Sequence, residues 1–169
     1  MSKPDLTRVP EFYYNYINLV QQEDLKEALK THITQTINFL KNIPEEKWNY
    51  RYAEGKWSIK ELVQHIIDAE RIFCYRALRF ARKDETPLAG FDENTYAASS
   101  KADFRSKDDL LEELELVQKA SSKLFLSFNH DQLEASGIAN GKSIYVLAIA
   151  FISVGHSLHH LNIIQQRYL

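Results

Sequence analysis

The chain has 169 residues, of which 44% are hydrophobic and 26% charged, with a formal net charge of −2 at pH 7. These values are typical of a soluble globular protein, and the length suits one domain with a sizeable core. The balanced charge argues against a duplex-DNA-binding surface rich in lysine and arginine. The only cysteine, Cys74, excludes an intramolecular disulfide and a cysteine-rich zinc motif.

No secretory or membrane-spanning segment is predicted. The first 14 residues contain no continuous apolar stretch, so a signal peptide is not expected. The most apolar run, residues 144–155, would span less than half of a roughly 30 Å hydrocarbon core as a helix. We interpret this run as a buried core helix and expect a cytoplasmic protein with no membrane partner.

Helical periodicity recurs along the chain and predicts an all-α protein. A short amphipathic piece at residues 10–20 precedes four long helices, predicted at 24–42, 58–83, from about Ser106, and from about Ser143 to the C-terminus. Ser58 and Glu61 form a capping-box pattern at the start of the second helix. Almost no segment alternates with period two, so strands are not expected.

The predicted connections favour a four-helix bundle with one long crossover. The links at 44–57 and 129–142 are moderate in length, whereas the link at 84–105 is long for a bundle. Four helices with one long crossover form a recognised bundle topology. We therefore predict a single domain over 1–169, with an N-terminal extension at 1–23 and a bundle at about 24–169.

Three histidines form the most informative pattern in the sequence. His65 lies in the second predicted helix, and His156 and His160 lie one turn apart in the fourth. Side chains at i and i+4 share a helix face with Cβ atoms about 5–6 Å apart, so both imidazoles can reach one ion. A helical wheel turns the pair toward an apolar face and His65 toward the bundle interior. His65 could therefore complete a three-nitrogen site.

The residues alone leave three interpretations of these histidines open. An unpaired buried imidazole is costly, so inward-facing histidines need polar partners. A metal ion, a hydrogen-bonded core or a water-filled pocket would each satisfy them. The pattern is not that of a zinc protease, because HSLHH lacks the catalytic glutamate of H-E-x-x-H.

Three neighbouring residues have weaker claims to a role. Asp68 lies about 60° from His65 on the wheel and could orient a ligand imidazole, or could be a solvated helix residue. His159 lies about 60° to the other side of His156; it could shuttle protons, but a hydrogen bond to the backbone is the simpler interpretation. Cys74 lies about 180° from His65 and cannot share an ion with it.

A basic cluster closes the second predicted helix and contains Arg76, Arg79, Arg82 and Lys83. Such clusters usually compensate the helix dipole, although this one could also bind the carboxylates of an anionic substrate. Arg76 begins about 16 Å along the helix axis from His65. This separation argues against its direct participation at a metal.

Three segments in this order carry a resemblance: GKWSIKELVQHIIDAERIFCYRALRFAR, PLAGFDENTY and SVGHSLHHLNIIQQRYL. Together they resemble the DinB-like (DinB/YfiT) superfamily of metal-binding four-helix bundles, over nearly the whole chain from residue 10 to 169. The resemblance implies an up-down-down-up bundle whose long crossover joins helices two and three. It also implies a divalent metal, zinc or nickel, held by His65, His156 and His160, with His159 outside the ligand set. Homodimers are common in this family.

The resemblance implies a metal-dependent transferase that joins a low-molecular-weight thiol to a small electrophile. Three neutral imidazoles with an open position suit this chemistry, because the ion keeps its full charge and lowers the pKa of a bound water or thiol. A metal-dependent hydrolase and a non-catalytic metal-binding protein of stress physiology are the alternatives. A nucleic-acid partner is not expected.

Overall fold

The computed structural model describes residues 2–169 and is mostly helical. Within these residues it contains seven α-helices, two short strands and four single-turn 3₁₀ helices. The α-helices are α1 Tyr14–Leu19, α2 Leu25–Lys41, α3 Ile59–Ala81, α4 Glu93–Ser100, α5 Lys107–Leu126, α6 His130–Glu134 and α7 Val146–Arg167, and the strands are β1 Ser136–Ala139 and β2 Lys142–Tyr145.

Three of the four long helices begin close to the positions predicted from the sequence, and each of these three starts at a side-chain cap. The Asp24 carboxylate accepts hydrogen bonds from the first amides of α2. Ser58 and Glu61 form the reciprocal capping box at the start of α3. Ser106 accepts from the Asp109 amide at the start of α5. These side chains satisfy amides that the helix cannot pair internally, which fixes where each helix starts.

The four long helices form a bundle in which chain neighbours are not always spatial neighbours. Helix α3 packs between α5 and α7, and α2 packs against the same two helices on the other side. Arg71 pairs with Glu113, and the Cys74 thiol lies 3.0 Å from the Ser121 hydroxyl. The contact that lies later in α3 also lies later in α5, so these two helices are parallel.

The contacts of α2 with α5 and of α3 with α7 join opposite ends of the helices. The Lys107 ammonium at the start of α5 donates to the Lys41 carbonyl at the end of α2. The Tyr168 hydroxyl, just after α7, donates to the Trp57 carbonyl just before α3. Helices α2 and α5 are therefore antiparallel, as are α3 and α7. The result is the up-down-down-up four-helix bundle that the family resemblance implies, with the long crossover between α3 and α5.

The expectation that strands are absent is wrong at one place. Strands β1 and β2 pair antiparallel, with Ser136 opposite Tyr145 and Ala139 opposite Lys142. Asn140 and Gly141 join them, both with positive φ (50° and 70°), as a two-residue hairpin turn of the Asn-Gly kind requires. Because β2 occupies residues 142–145, the last helix begins at Val146 and not near Ser143.

The hairpin holds the long crossover in place. The Leu88 amide donates to the Ile138 carbonyl at 2.8 Å, and the Asn140 amide donates to the Leu88 carbonyl at 2.9 Å. A Cβ on Gly90 would lie 2.3 Å from the Asn140 side-chain oxygen, so a larger residue here would have to displace the Asn140 side chain. The crossover therefore passes close to the hairpin turn before α4 begins.

Helix α7 is the central helix of the core. Within residues 2–169 it is the one helix long and apolar enough to cross a membrane, and 78% of its most apolar window is buried inside the protein. Its burial fits the predicted core helix. Two apolar clusters fill the bundle, one containing Phe73 and Phe151, the other Leu62 and Leu161.

A buried polar contact joins α2 to α5 away from the three histidines. His32 Nδ1 lies 3.1 Å from the Thr36 hydroxyl, and His32 Nε2 lies 2.9 Å from the Gln118 amide nitrogen. A neutral imidazole with its hydrogen on Nδ1 satisfies both contacts, because Nε2 then accepts from the amide. Burial lowers the pKa of His32 from 6.5 to about 4.

We expect His32 to make the metal-free protein acid-sensitive. Between pH 6.5 and 4 His32 is protonated in the unfolded chain but stays neutral in the folded protein. The free energy of unfolding therefore falls as the pH falls through this range. Replacing His32 by glutamine should reduce the loss of unfolding free energy between pH 7 and 5 by about 2 kcal/mol. Urea denaturation of both metal-free proteins measures this difference. An equal loss in the two proteins would contradict the assignment.

Candidate metal centre

Three histidine side chains converge on one point between α3 and α7. The Nε2 atom of His156 lies 3.0 Å from Nε2 of His65 and 3.0 Å from Nε2 of His160. All three residues are buried, with exposed fractions of 6–9%. They are the His65, His156 and His160 that the sequence singles out. Within residues 2–169 no cysteine, aspartate or glutamate joins this cluster.

The arrangement fits a cation better than a hydrogen-bond network. An imidazole nitrogen offers either one hydrogen or one lone pair, so His156 Nε2 cannot form good hydrogen bonds to both neighbours. Three neutral imidazoles can instead direct three lone pairs at one ion. Nitrogen ligands at about 2.0–2.1 Å from a tetrahedral zinc ion lie roughly 3.3 Å apart, which is close to the spacing observed here.

The electrostatics keep these imidazoles neutral, as metal ligands must be. Burial lowers the pKa of His65 to about 4. Burial, followed by the proximity of the other histidines, holds the pKa values of His156 and His160 well below their usual range. The Nδ1 atom of His160 is buried and has no hydrogen-bond partner in the described part of the chain, so the polar contact of this ring is made through Nε2.

A cavity of about 270 Å³ opens onto the three histidines. Six of its thirteen lining residues carry phenyl, phenol or indole rings: Phe12, Tyr13, Tyr16, Trp57, Phe73 and Phe91. The Trp57 ring centre lies 4.9 Å from that of His65, and the Tyr16 ring meets His156 edge-on at 5.6 Å. A small ligand can therefore approach the nitrogen cluster within an apolar, aromatic surround.

The weaker candidates lie outside the nitrogen cluster. The Asp68 carboxylate accepts a hydrogen bond from Gln64 at 2.9 Å, and within the described part of the chain it makes none to an imidazole. His159 is half-buried and packs edge-on against Tyr16 at 5.3 Å. Cys74 borders a different pocket, as its position on the wheel predicts.

Sequence reasoning misses most of the residues that line the same cavity, and four of these bear on its chemistry. Tyr16 comes from the N-terminal extension, and Glu93 and Asn140 come from the crossover and the hairpin turn. Arg76 also lines this cavity, although its axial separation from His65 argued against a place at the site. The wheel puts Arg76 on the same helix face as His65. The estimate of its distance used only the backbone position and left out the length of the arginine side chain, which extends along the helix toward His65.

Comparison with known proteins assigns the chain to a family. A family model for the DinB superfamily matches residues 28–164. A proposed metal-dependent hydrolase from Oceanobacillus iheyensis is 27% identical over 145 residues, covering 82% of both chains. One of the same description from Bacillus licheniformis is 26% identical over 141 residues, covering 82% of this chain and 77% of the relative.

Two solved structures share the fold. YfiT from Bacillus subtilis, described as a proposed metal-dependent hydrolase with an unusual four-helix bundle topology, has a TM-score of 0.70 at 18% identity, covering 97% of this chain and 90% of YfiT. A mycothiol-dependent maleylpyruvate isomerase has a TM-score of 0.68 at 12% identity, covering 94% of this chain and 62% of the isomerase. With the family model matching most of its length, the chain belongs to the DinB superfamily.

Proposed function

We propose that the protein is a divalent-metal-dependent enzyme that transfers a low-molecular-weight thiol to a small electrophile. His65, His156 and His160 are the proposed metal ligands, and zinc or nickel the proposed ion. The observation that carries this proposal is the convergence of three neutral imidazole nitrogens at an aromatic cavity. The names of the relatives support a metal-dependent reaction, and the mycothiol-dependent isomerase that shares the fold supports a thiol.

Thiol chemistry suits this donor set better than water chemistry. A divalent ion held by three neutral imidazoles keeps its charge and lowers the pKa of a thiol or water bound beside them. A thiol has an ordinary pKa of about 8.5, against about 15.7 for water, so it ionises with far less help. Within residues 2–169 no carboxylate belongs to the nitrogen cluster, so a base for a water molecule would have to come from the cavity rim.

The thiol has to come from a second substrate. The Cys74 thiol packs against Ser121 in another pocket, and burial raises its pKa to about 12. A thiol with so high a pKa is a poor nucleophile. Around the cavity, Trp57 and Tyr16 cover the imidazoles. Burial raises the pKa of Tyr16, so its phenol keeps its proton and can donate a hydrogen bond to a bound substrate.

A metal-dependent hydrolase is the second candidate. The names of both sequence relatives favour it. Glu93 lines the cavity at its exposed rim, where a carboxylate could accept a proton from an attacking water molecule. The remaining alternative is a non-catalytic metal-binding protein. For all three, the family resemblance supports a cytoplasmic homodimer.

Turnover assays with and without a thiol separate these functions. We expect the zinc- or nickel-loaded protein to consume glutathione or cysteine in the presence of a small electrophile such as 1-chloro-2,4-dinitrobenzene. Chelation should slow this reaction at least about 100-fold, since the ion supplies several kcal/mol of charge stabilisation. The Cys74→Ser protein should retain the full rate, because its thiol lies outside the cavity.

Three other results of these assays would contradict the proposed thiol transfer. Hydrolysis of p-nitrophenyl acetate that needs the metal but no thiol would select the hydrolase. A protein that binds one metal ion per chain and turns over neither class of substrate would favour the non-catalytic alternative. Loss of thiol transfer in the Cys74→Ser protein would show that the thiol comes from the chain itself.

A further inference from the structure

A buried arginine lies in the cavity that the three histidines share. Arg76 is only 6% exposed and lines this cavity. It follows His65, Ala69 and Phe73 along one face of α3, and all four residues border the same space. Arg76 is therefore part of the site, although the basic cluster to which it belongs in the sequence suggests a role at the end of the helix.

The guanidinium of Arg76 has no negatively charged partner in the described part of the chain. Its one hydrogen bond runs from Nη2 to the Ala89 carbonyl at 3.2 Å. No carboxylate within residues 2–169 lies in ion-pair distance, including Glu93 of the same cavity. Arg79, one turn further on, pairs with Asp84, and Arg82 is exposed over the Phe128 ring.

An unpaired buried charge is costly, and one backbone carbonyl does not neutralise it. The planar guanidinium offers five N–H donors in a fork that matches a carboxylate. One of its terminal nitrogens donates to Ala89, and within the described residues its remaining N–H donors have no protein partner. Asn140 lines the same cavity and is a second polar side chain there.

We propose that Arg76 binds a carboxylate group of the substrate or of the thiol cosubstrate. This inference rests on the proposed function and deepens it by naming the charge of a ligand. Arg76 follows His65 by about 16 Å along the axis, and its side chain leans back toward the start of the helix. The carboxylate therefore binds roughly 10 Å from the imidazole cluster, which suits a ligand as long as a tripeptide or an aryl acid.

Binding of matched acids and neutral analogues tests the inference. Isothermal titration calorimetry on the metal-loaded protein compares glutathione with its diethyl ester, and 3-phenylpropanoate with 3-phenylpropanamide. At least one acid should bind about 10-fold or more tightly than its neutral analogue, as expected for a charge-assisted hydrogen bond. Preference in the glutathione pair places the carboxylate on the thiol. Preference in the phenyl pair places it on the other substrate.

Arginine variants assign that preference to one side chain. Arg76→Gln should abolish the preference for the acid, whereas Arg82→Gln, which removes an equal charge from the same end of α3, should keep it. If Arg76→Gln does not fold, Arg76→Lys should weaken the preference, because lysine lacks the planar fork. Equal binding of acid and neutral analogue by the wild type, or an unchanged preference in the Arg76 variants, would overturn the proposal.

This experiment is independent of turnover. A protein that prefers acids through Arg76 but shows no metal-dependent reaction would contradict the proposed function and leave the anion subsite standing. A protein that transfers a thiol but binds acids and neutral analogues equally would contradict the anion subsite and leave the proposed function standing.

Discussion

The His156→Ala protein is expected to lose stoichiometric metal binding. His156 is the central member of the cluster, since its Nε2 atom lies 3.0 Å from each of the other two. Without the His156 imidazole, only His65 on α3 and His160 on α7 remain as nitrogen donors, and two donors hold an ion much more weakly than three. Elemental analysis of protein purified with zinc or nickel should find about one ion per chain in the wild type and far less in the variant.

Metal binding should also be visible as a change in stability. A ligand that binds only the folded state adds about 2.7 kcal/mol at 100 times its Kd. For a chain of this size that corresponds to a rise in Tm of roughly 5–11 °C. The wild type should show this rise when metal is added, and the His156→Ala protein should show almost none. Because the Tm values with and without metal are compared for the same protein, the destabilising cavity left by alanine affects both values and cancels.

His159→Ala provides the matched control. His159 neighbours His160 and packs against Tyr16, yet it lies outside the nitrogen cluster. Its variant should keep both the metal content and the Tm response. Equal metal content in the His156→Ala and wild-type proteins would refute the three-histidine site. Loss of metal in the His159→Ala protein instead would make His159 a ligand in place of His156.

The sequence predicts the bundle well because its signals are local. Asp24, Ser58 and Ser106 cap helices through hydrogen bonds to amides within three residues, and such contacts can be read without tertiary structure. The histidine pair on α7 follows from helical periodicity alone. Placing His65 opposite that pair requires knowing that α3 and α7 are adjacent and antiparallel, which the family resemblance supplies.

The parts that sequence reasoning misses depend on contacts between distant segments. The hairpin had a local signal in Asn140-Gly141, but its short strands pair over only four residues each, too few for a clear alternating pattern. Arg76 was placed by the position of its backbone, whereas its long side chain reaches back into the cavity. Tyr16 covers the site from a segment 140 residues away in sequence from His156, and no local pattern indicates that packing.

Gly155 is the residue that allows the N-terminal extension to reach the site. A Cβ at this position would lie 1.9 Å from the Tyr16 carbonyl oxygen and 2.4 Å from its carbonyl carbon. Both atoms belong to backbone, so no side-chain rotation can relieve the clash. The close approach of α1 to α7 brings the Tyr16 ring over His156 and His159.

We expect Gly155→Ala to destabilise the protein by about 1–3 kcal/mol or more, as for an overpacked core. Helix propensity alone would predict the opposite change in stability, because alanine stabilises a helix interior by about 1 kcal/mol relative to glycine. Urea denaturation measures the loss of stability. Limited proteolysis should cut the N-terminal extension faster in the variant, because α1 must move away from α7 to accommodate the methyl group.

Ser157→Ala is a control on the same helix. The Ser157 hydroxyl is buried and has no hydrogen-bond partner among residues 2–169, so its removal should be neutral or mildly stabilising. Because the proposed metal ligands lie on α3 and α7, the Gly155→Ala protein should still bind one metal ion while its cavity loses the Tyr16 wall. Unchanged stability and unchanged proteolysis in Gly155→Ala would mean that the extension does not pack on α7 in solution. Loss of metal as well would mean that the extension also holds α7 in the position that its histidines require.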